Sequence, residues 1–153
     1  MLVDPSWEEA VAIASLPGIA ALQLHGRETP AFCAKLASTG IRFGKAISAT
    51  DPAGLAAARL FSTQTIVLDS MHGAQFGGTG TTFPWGVARD LAAAHPALRV
   101  VVAGGLTPEN VGEAVRMARP FGVDVTGGVE SSPGRKDHGR MRAFIEAAKS
   151  AAA

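Results

Sequence analysis

The stretch RVVVAGGLTPENVGEAVRMARPFGVDVTGGVE, residues Arg99–Glu130, decides the fold of this chain. Two β-branched runs, Val100–Ala103 and Val123–Thr126, each end in a double glycine, and the helix-compatible segment Thr107–Arg119 separates them. Strand, glycine turn, helix, strand and glycine turn in this order form a βαβ unit, which places the carboxyl ends of two parallel strands side by side. The stretch therefore predicts a parallel sheet with covering helices.

The two double glycines, Gly104-Gly105 and Gly127-Gly128, indicate a phosphate site. Glycines let backbone N–H groups approach a ligand closely, and a helix start at Thr107-Pro108-Glu109 favours anions. The alternative is that these glycines only close tight turns after the strands, and both interpretations can hold together. We predict a phosphate cradle.

The composition fits a single domain spanning residues 1–153. With 47% hydrophobic residues the chain can bury one core, and no change of composition marks a linker. The formal net charge is +1, and the Lys and Arg residues are scattered, whereas a nucleic-acid surface needs clustered cations. We expect one domain and no nucleic-acid partner.

Neither export nor membrane insertion is expected. No window approaches the ~18 consecutive apolar residues of a membrane span, and the first residues are acidic where a signal peptide would be basic. The single cysteine, Cys33, excludes an internal disulfide and a cysteine-based zinc cluster, and it fits a reducing compartment. The expected location is the cytoplasm.

Strands and helices alternate along the rest of the chain. The predicted strands that precede the stretch Arg99–Glu130 are Ala20–Leu24, Ile41–Ile47 and Thr65–Leu68. The predicted helices outside it are Trp7–Leu16, Pro30–Gly40, Pro52–Phe61, Pro84–Ala94 and Met141–Ala151. Five strands, each followed by a helix, with one further helix in front, indicate an α/β fold with a parallel sheet.

Two architectures remain open from the residues alone: an open doubly wound sheet and part of a (β/α)8 barrel. No G-x-G-x-x-G follows the first strand, which argues against a dinucleotide-binding fold. In both architectures ligands gather at the carboxyl ends of the strands. Four candidate residues stand there: His25, Asp69, Gly104 and Asp124.

Six motifs together resemble the phosphoribosylanthranilate isomerase family. In chain order they are LQLHGRE, GKAI, IVLDS, GGTGTTFPW, VVAGGLTPENV and GVDVTGGVESSPGRKDHGRMRAFI. The resemblance implies a (β/α)8 barrel of tryptophan biosynthesis, which converts the aminoaldose phosphate phosphoribosylanthranilate into its ketose by an Amadori rearrangement. It also implies no metal and no organic cofactor.

The resemblance covers only part of such a barrel. It equates the five strands with strands four to eight, preceded by the helix that follows strand three. The family's first-strand motif, whose cysteine is the general base, has no match in the sequence. Complete barrels run to about 250 residues. The simplest expectation is an N-terminally truncated reading frame or a miscalled start.

Asp69 is the candidate catalytic residue. The family places its general acid in the LDS motif, here Leu68-Asp69-Ser70. A partly desolvated carboxyl at a strand end can hold a proton and donate it to the ribose ring oxygen. The alternative is an aspartate that only caps the following turn.

The resemblance assigns the remaining candidates to substrate binding. His25 and Asp124 would contact polar groups of the substrate, although either could be structural. The phosphate would be bound by the two double glycines together with Thr126, which stands where the family has serine. The phosphorylated aminosugar is the expected partner.

Three other features have structural interpretations. Cys33 lies on the apolar side of a helix, so we predict that it packs in the core. The Gly77–Gly80 segment lacks the P-loop lysine, and the resemblance makes it a mobile loop over the site. The segment Ser132–His138 is most simply a solvated loop.

The sequence supports two functional hypotheses. The first is the isomerase, with Asp69 as acid and the base supplied from outside this chain, so that the chain alone should not turn over substrate. The second is a non-catalytic phosphosugar-binding or oligomerising half-barrel. Open sheet edges and an exposed barrel interior would favour a homo-oligomer.

Overall fold

The computed structural model describes residues 1–70 and 82–153. A single five-stranded sheet has the order β1-β2-β3-β4-β5, and every neighbouring pair is parallel. Its strands are β1 Leu22–Leu24, β2 Phe43–Ser48, β3 Thr65–Asp69, β4 Arg99–Val102 and β5 Gly122–Val123. The predicted α/β fold with five parallel strands is confirmed. The Gly77–Gly80 segment, predicted to cover the site, lies outside the described residues.

Helices precede, connect and follow these strands. They are α1 Trp7–Ala14, α2 Pro30–Ser38, α3 Pro52–Ala57, α4 Gly86–Ala94, α5 Val111–Ala118 and α6 His138–Ala152. Side-chain oxygens set several of the starts: Ser6 forms a capping box with Glu9, and Thr29, Asp51 and Asp137 each accept a first-turn N–H. In the part of the chain that the structure describes, no helix is both long and apolar enough to span a membrane.

The two faces of the sheet bury different amounts of apolar surface. Alternate residues of each strand face the helices and form the main core with them. On these strands the core residues are Leu22, Leu24, Phe43, Ile47, Ile66, Leu68, Val100 and Val102. The opposite face carries a small separate cluster of Ala46, Val67 and Ala103 with Val101 against it. The side chains of this cluster are small, and those of Ala46, Val67 and Ala103 are buried.

Several predicted bounds differ from the structure by two to four residues, and three differences lie close to the candidate site. Helix α5 begins at Val111 instead of Thr107, because the Asn110 side chain accepts the Thr107 N–H and donates to the Gly105 carbonyl, closing a turn. Strand β5 ends at Val123 instead of Thr126, and a 3₁₀ turn follows at Gly127–Val129. The predicted loop after Glu130 contains a short antiparallel hairpin. The strands of this hairpin are β6 Glu130–Ser132 and β7 Arg135–Lys136.

The N-terminal residues pair with the edge of the sheet, which the sequence did not predict. Leu2 forms an isolated parallel bridge with Leu24 of β1. Its N–H donates to the Gln23 carbonyl at 2.8 Å, and its carbonyl accepts the His25 N–H at 2.8 Å. The backbone of His25 is therefore fixed from the side opposite β2.

Candidate active site

His25 and Asp69 meet at the carboxyl edge of the sheet. His25 directly follows β1, and Asp69 is the last residue of β3. The His25 Nε2 lies 3.2 Å from the Asp69 Oδ2, and the two residues are only 3% and 4% exposed. The contact places a ring nitrogen directly beside a carboxyl oxygen, away from solvent. The structure thus joins two of the predicted site residues in one buried pair.

Gly104 brings the turn after β4 directly onto Asp69. Its φ is +82°, in the left-handed region that favours glycine, and a Cβ at this position would lie 2.5 Å from the Asp69 Oδ1. The same Cβ would overlap the Ser70 hydroxyl. Gly105 also has a positive φ, +63°. Glycine is therefore required here both by the backbone conformation and by the neighbouring carboxylate.

The second double glycine lies against the first turn. A Cβ on Gly128 would overlap the backbone carbonyl of Leu106, whereas one on Gly127 would meet no atom of residues 1–70 and 82–153 within 4 Å. The turns after β4 and β5 are therefore in backbone contact at Gly128 and open at Gly127. The structure brings the two predicted phosphate loops together, and their binding of phosphate remains a prediction.

Cations from the hairpin and from α6 hold the carbonyls of the second turn. The Lys136 Nζ donates to the Thr126 carbonyl at 2.8 Å, and the Arg140 Nε donates to the Gly128 carbonyl at 3.1 Å. In a trans peptide the carbonyl and the following N–H point in opposite directions. The Gly127 N–H is therefore directed away from Lys136.

Asp124 and Thr126 are exposed. The Asp124 N–H extends the pairing of β5 with β4 by donating to the Val102 carbonyl at 2.9 Å. Their predicted contacts with substrate stay predictions. The anion-favouring helix start at Thr107 does not exist in this form, because Thr107–Asn110 is a turn and α5 begins only at Val111.

Cys33 is fully buried in α2, as predicted. Burial raises the pKa of its thiol to about 11, more strongly than the nearby Lys45 lowers it. A thiol with this pKa stays protonated at neutral pH and is a poor base. Since it is the single cysteine of the sequence, the base that the resemblance expects is not a cysteine of this chain.

A buried ion pair beside the site was missed by the sequence analysis. The Lys45 Nζ lies 2.9 Å from the Glu28 Oε2, and the two side chains are 3% and 2% exposed. Lys45 belongs to the helix-facing side of β2, between the core residues Phe43 and Ile47. The available signal was a lysine inside the otherwise apolar run FGKAI, because a buried ammonium requires a partner.

Comparisons with known proteins identify the family. A family model described as N-(5'phosphoribosyl)anthranilate (PRA) isomerase matches residues 1–147. The chain belongs to this family. Among curated relatives, N-(5'-phosphoribosyl)anthranilate isomerase of Trichlorobacter lovleyi is 44% identical over 131 residues, which are 85% of this chain and 61% of the relative. The same enzyme of Haloferax volcanii is 47% identical over 132 residues, which are 85% of this chain and 58% of the relative.

Solved structures of the family share the fold. Phosphoribosyl anthranilate isomerase from Thermotoga maritima superposes with a TM-score of 0.82 at 35% identity, covering 97% of this chain and 71% of the other. A complex of this type of isomerase with reduced 1-(o-carboxyphenylamino)-1-deoxyribulose 5-phosphate gives 0.77 at 34% identity, covering 97% and 69%. The chain spans about 60% of the length of the first curated relatives it matches.

Proposed function

We propose that this chain acts in the isomerisation of N-(5'-phosphoribosyl)anthranilate, with Asp69 as the general acid. The observation that carries the proposal is the buried His25–Asp69 contact at the carboxyl edge of a parallel sheet, with Gly104 packed against the carboxylate. Family membership and the solved complex with a reduced product analogue support the same substrate class. They favour the isomerase over a non-catalytic phosphosugar-binding or oligomerising half-barrel.

The architecture that we infer for the active protein is a (β/α)8 barrel. The five strands would be strands four to eight of this barrel, with residues 1–153 as a single domain. The small buried residues on the face of the sheet opposite the main core, Ala46, Val67 and Ala103, fit an inward-facing barrel layer. Barrels of this type commonly bind phosphate after strands seven and eight, which would be β4 and β5 here.

In the first step, the carboxyl group of Asp69 donates its proton to the ring oxygen of the ribosylamine. The bond between C1 and that oxygen breaks, the nitrogen lone pair forms a C1=N bond, and the product is an open-chain iminium. His25 binds the carboxylate that remains after the transfer, since its Nε2 lies 3.2 Å from the Asp69 Oδ2. A positioned acid contributes about 10²–10⁴-fold to such a step.

In the second step, a base removes the proton from C2. The electrons of the C–H bond form C1=C2, the iminium nitrogen becomes neutral, and the resulting enolamine tautomerises to the ketose. Cys33 is unsuited to this role because it is buried in the core with a raised pKa. We propose that the base is provided by polypeptide other than this chain.

The two glycine turns would bind the 5-phosphate through backbone N–H groups of Gly105, Gly127 and Gly128, with Thr126 as a further hydroxyl donor. His25 and Asp124 would contact the remaining polar groups of the substrate. A homo-oligomer is proposed as well, since one solved relative is described as a dimeric isomerase. A cytoplasmic location would fit a biosynthetic role.

The test is complementation in vitro. The purified chain is assayed for conversion of phosphoribosylanthranilate, alone and with a polypeptide covering the part of the Thermotoga maritima enzyme that this chain does not match. We expect no turnover alone, turnover with the added polypeptide, and a loss of at least about 10²-fold in kcat for Asp69→Asn. Near-normal kcat in that variant would remove Asp69 from the mechanism. Binding of the product analogue without turnover in any mixture would instead support the half-barrel alternative.

A further inference from the structure

We propose that the buried Glu28–Lys45 ion pair positions His25 against Asp69 by fixing the two peptide groups on either side of Gly26. The proposal deepens the proposed function, because it rests on Asp69 acting as the acid and His25 as its partner. Glu28 and Lys45 act on the backbone beside His25 and not on the reacting atoms, so both are positioning residues.

Each member of the pair holds one peptide group. The Gly26 N–H, which belongs to the His25–Gly26 peptide, donates to both carboxylate oxygens of Glu28 at 3.1 Å. The Gly26 carbonyl, which belongs to the next peptide, accepts a hydrogen bond from the Lys45 Nζ at 2.8 Å. Peptide groups are planar, so fixing both of them removes the conformational freedom that glycine would otherwise have. Because the first of these peptide groups begins at His25, fixing it also fixes the orientation of the His25 backbone.

The pair is itself anchored to rigid elements. Lys45 lies in register with Leu24 across the β1–β2 pairing, and its Nζ also donates to the Ala46 carbonyl at 2.8 Å. Glu28 accepts the Asp4 N–H at 3.0 Å. A Cβ on Gly26 would overlap the side chain and backbone of Asp4. The turn after β1 is therefore held between the second strand and the N-terminal segment.

Stability alone gives no reason to keep this pair. Apolar residues of similar volume often replace a buried ion pair at no cost, because desolvation offsets the attraction between the charges. What an apolar pair cannot do is bind the Gly26 N–H and carbonyl at the same time. At metal sites, partners that orient a ligating side chain change affinity or activity by about 10–100-fold when they are removed, and we expect the lower end of that range here.

The double variant Glu28→Met/Lys45→Met tests the proposal, because it removes both charges together, leaves no unpaired ion, and leaves neither an acceptor for the Gly26 N–H nor a donor to the Gly26 carbonyl. We expect a folded protein in which the Gly26 amide exchanges with solvent at least about tenfold faster and the ¹⁵N signals of the His25 imidazole change. In the complemented isomerase assay, we expect kcat to fall about tenfold with KM changed less than about twofold. The control Ile47→Val removes packing from the same face of β2 and should alter none of these readouts.

Unchanged Gly26 exchange and unchanged His25 signals in the folded double variant would overturn the proposal. If that variant does not fold, Glu28→Asp decides, because it keeps both charges and withdraws the carboxylate by one methylene group. The same changes are expected there, and wild-type exchange at Gly26 would refute the positioning role. A lack of turnover in the unsubstituted protein with its complement would count against the proposed function, while the exchange and imidazole readouts would still decide this inference.

Discussion

Two lysine–glutamate pairs of the same chemistry lie at opposite ends of the carboxyl edge. Lys45 and Glu28 are 2.9 Å apart, and Lys136 and Glu130 are 2.8 Å apart. In each pair the lysine also donates to a backbone carbonyl at 2.8 Å. In the first pair it is the carbonyl of Gly26, which follows His25, and in the second it is that of Thr126. Each pair thus connects a charge to a loop of the candidate site.

The two pairs differ in solvent access. The side chains of Lys45 and Glu28 are 3% and 2% exposed, whereas those of Lys136 and Glu130 are 39% and 14% exposed. A buried charge without its partner is very unfavourable, while an exposed one is solvated and screened. Removing either member of the first pair should therefore strongly lower the free energy of unfolding. The smaller contribution of the second pair should decrease gradually with falling pH and with added salt.

The largest effect is expected from Lys45→Met. This change leaves the Glu28 carboxylate buried without its cation, and removing one member of a buried pair costs about 3–5 kcal/mol. Urea unfolding followed by circular dichroism measures the loss in the free energy of unfolding. A loss below about 1 kcal/mol would mean that water reaches Glu28 and that the two pairs do not differ as described.

A smaller effect is expected when both members of the buried pair are changed. Glu28→Met/Lys45→Met removes the carboxylate together with the ammonium, so it should be more stable than Lys45→Met alone by about 1–3 kcal/mol. The same unfolding experiment on both variants gives this difference. If the double variant were the less stable one, the cost would arise from the lost hydrogen bonds at Gly26 and not from the unpaired carboxylate.

The contrast between the pairs also shows what a sequence can predict. The strands, their parallel order and the placement of His25, Asp69 and Gly104 follow from hydrophobic runs and from the residues after them, which are local signals. The Glu28–Lys45 pair joins residues from two elements, and its formation depends on the β1–β2 register. No local pattern contains that register, although Lys45 in an apolar strand signalled that some partner was needed.

The predicted bounds of helices and strands near the glycine turns were also wrong because contacts outside the local pattern determine them. Thr107 has the pattern of a helix start, yet the side chain of Asn110 competes for its N–H and delays α5 to Val111. The hairpin β6–β7 was predicted as a loop because its strands are short and exposed. Its significance lies in the contact of Lys136 with Thr126, which becomes visible only when the turn after β5 is in place.

The smallest expected effect belongs to the exposed pair and depends on pH. The hydrogen bond from Lys136 lowers the pKa of Glu130 below its usual 4.5, and the Gly134 N–H adds to this shift. A lowered pKa in the folded state means that the unfolded chain binds the proton first, so this group stabilises the fold above about pH 4.5 and loses that contribution as the pH falls. Lys136→Met should therefore flatten the dependence of the unfolding midpoint on pH between about 3 and 5, because it lowers the midpoint slightly above about pH 5 and leaves the midpoint near pH 3 nearly unchanged. Added salt should reproduce part of the flattening in the wild type, because exposed charges are screened, and should leave the effect of Lys45→Met intact.

A pH profile that is the same in wild type and Lys136→Met would show that Gly134, and not the lysine, controls the pKa of Glu130.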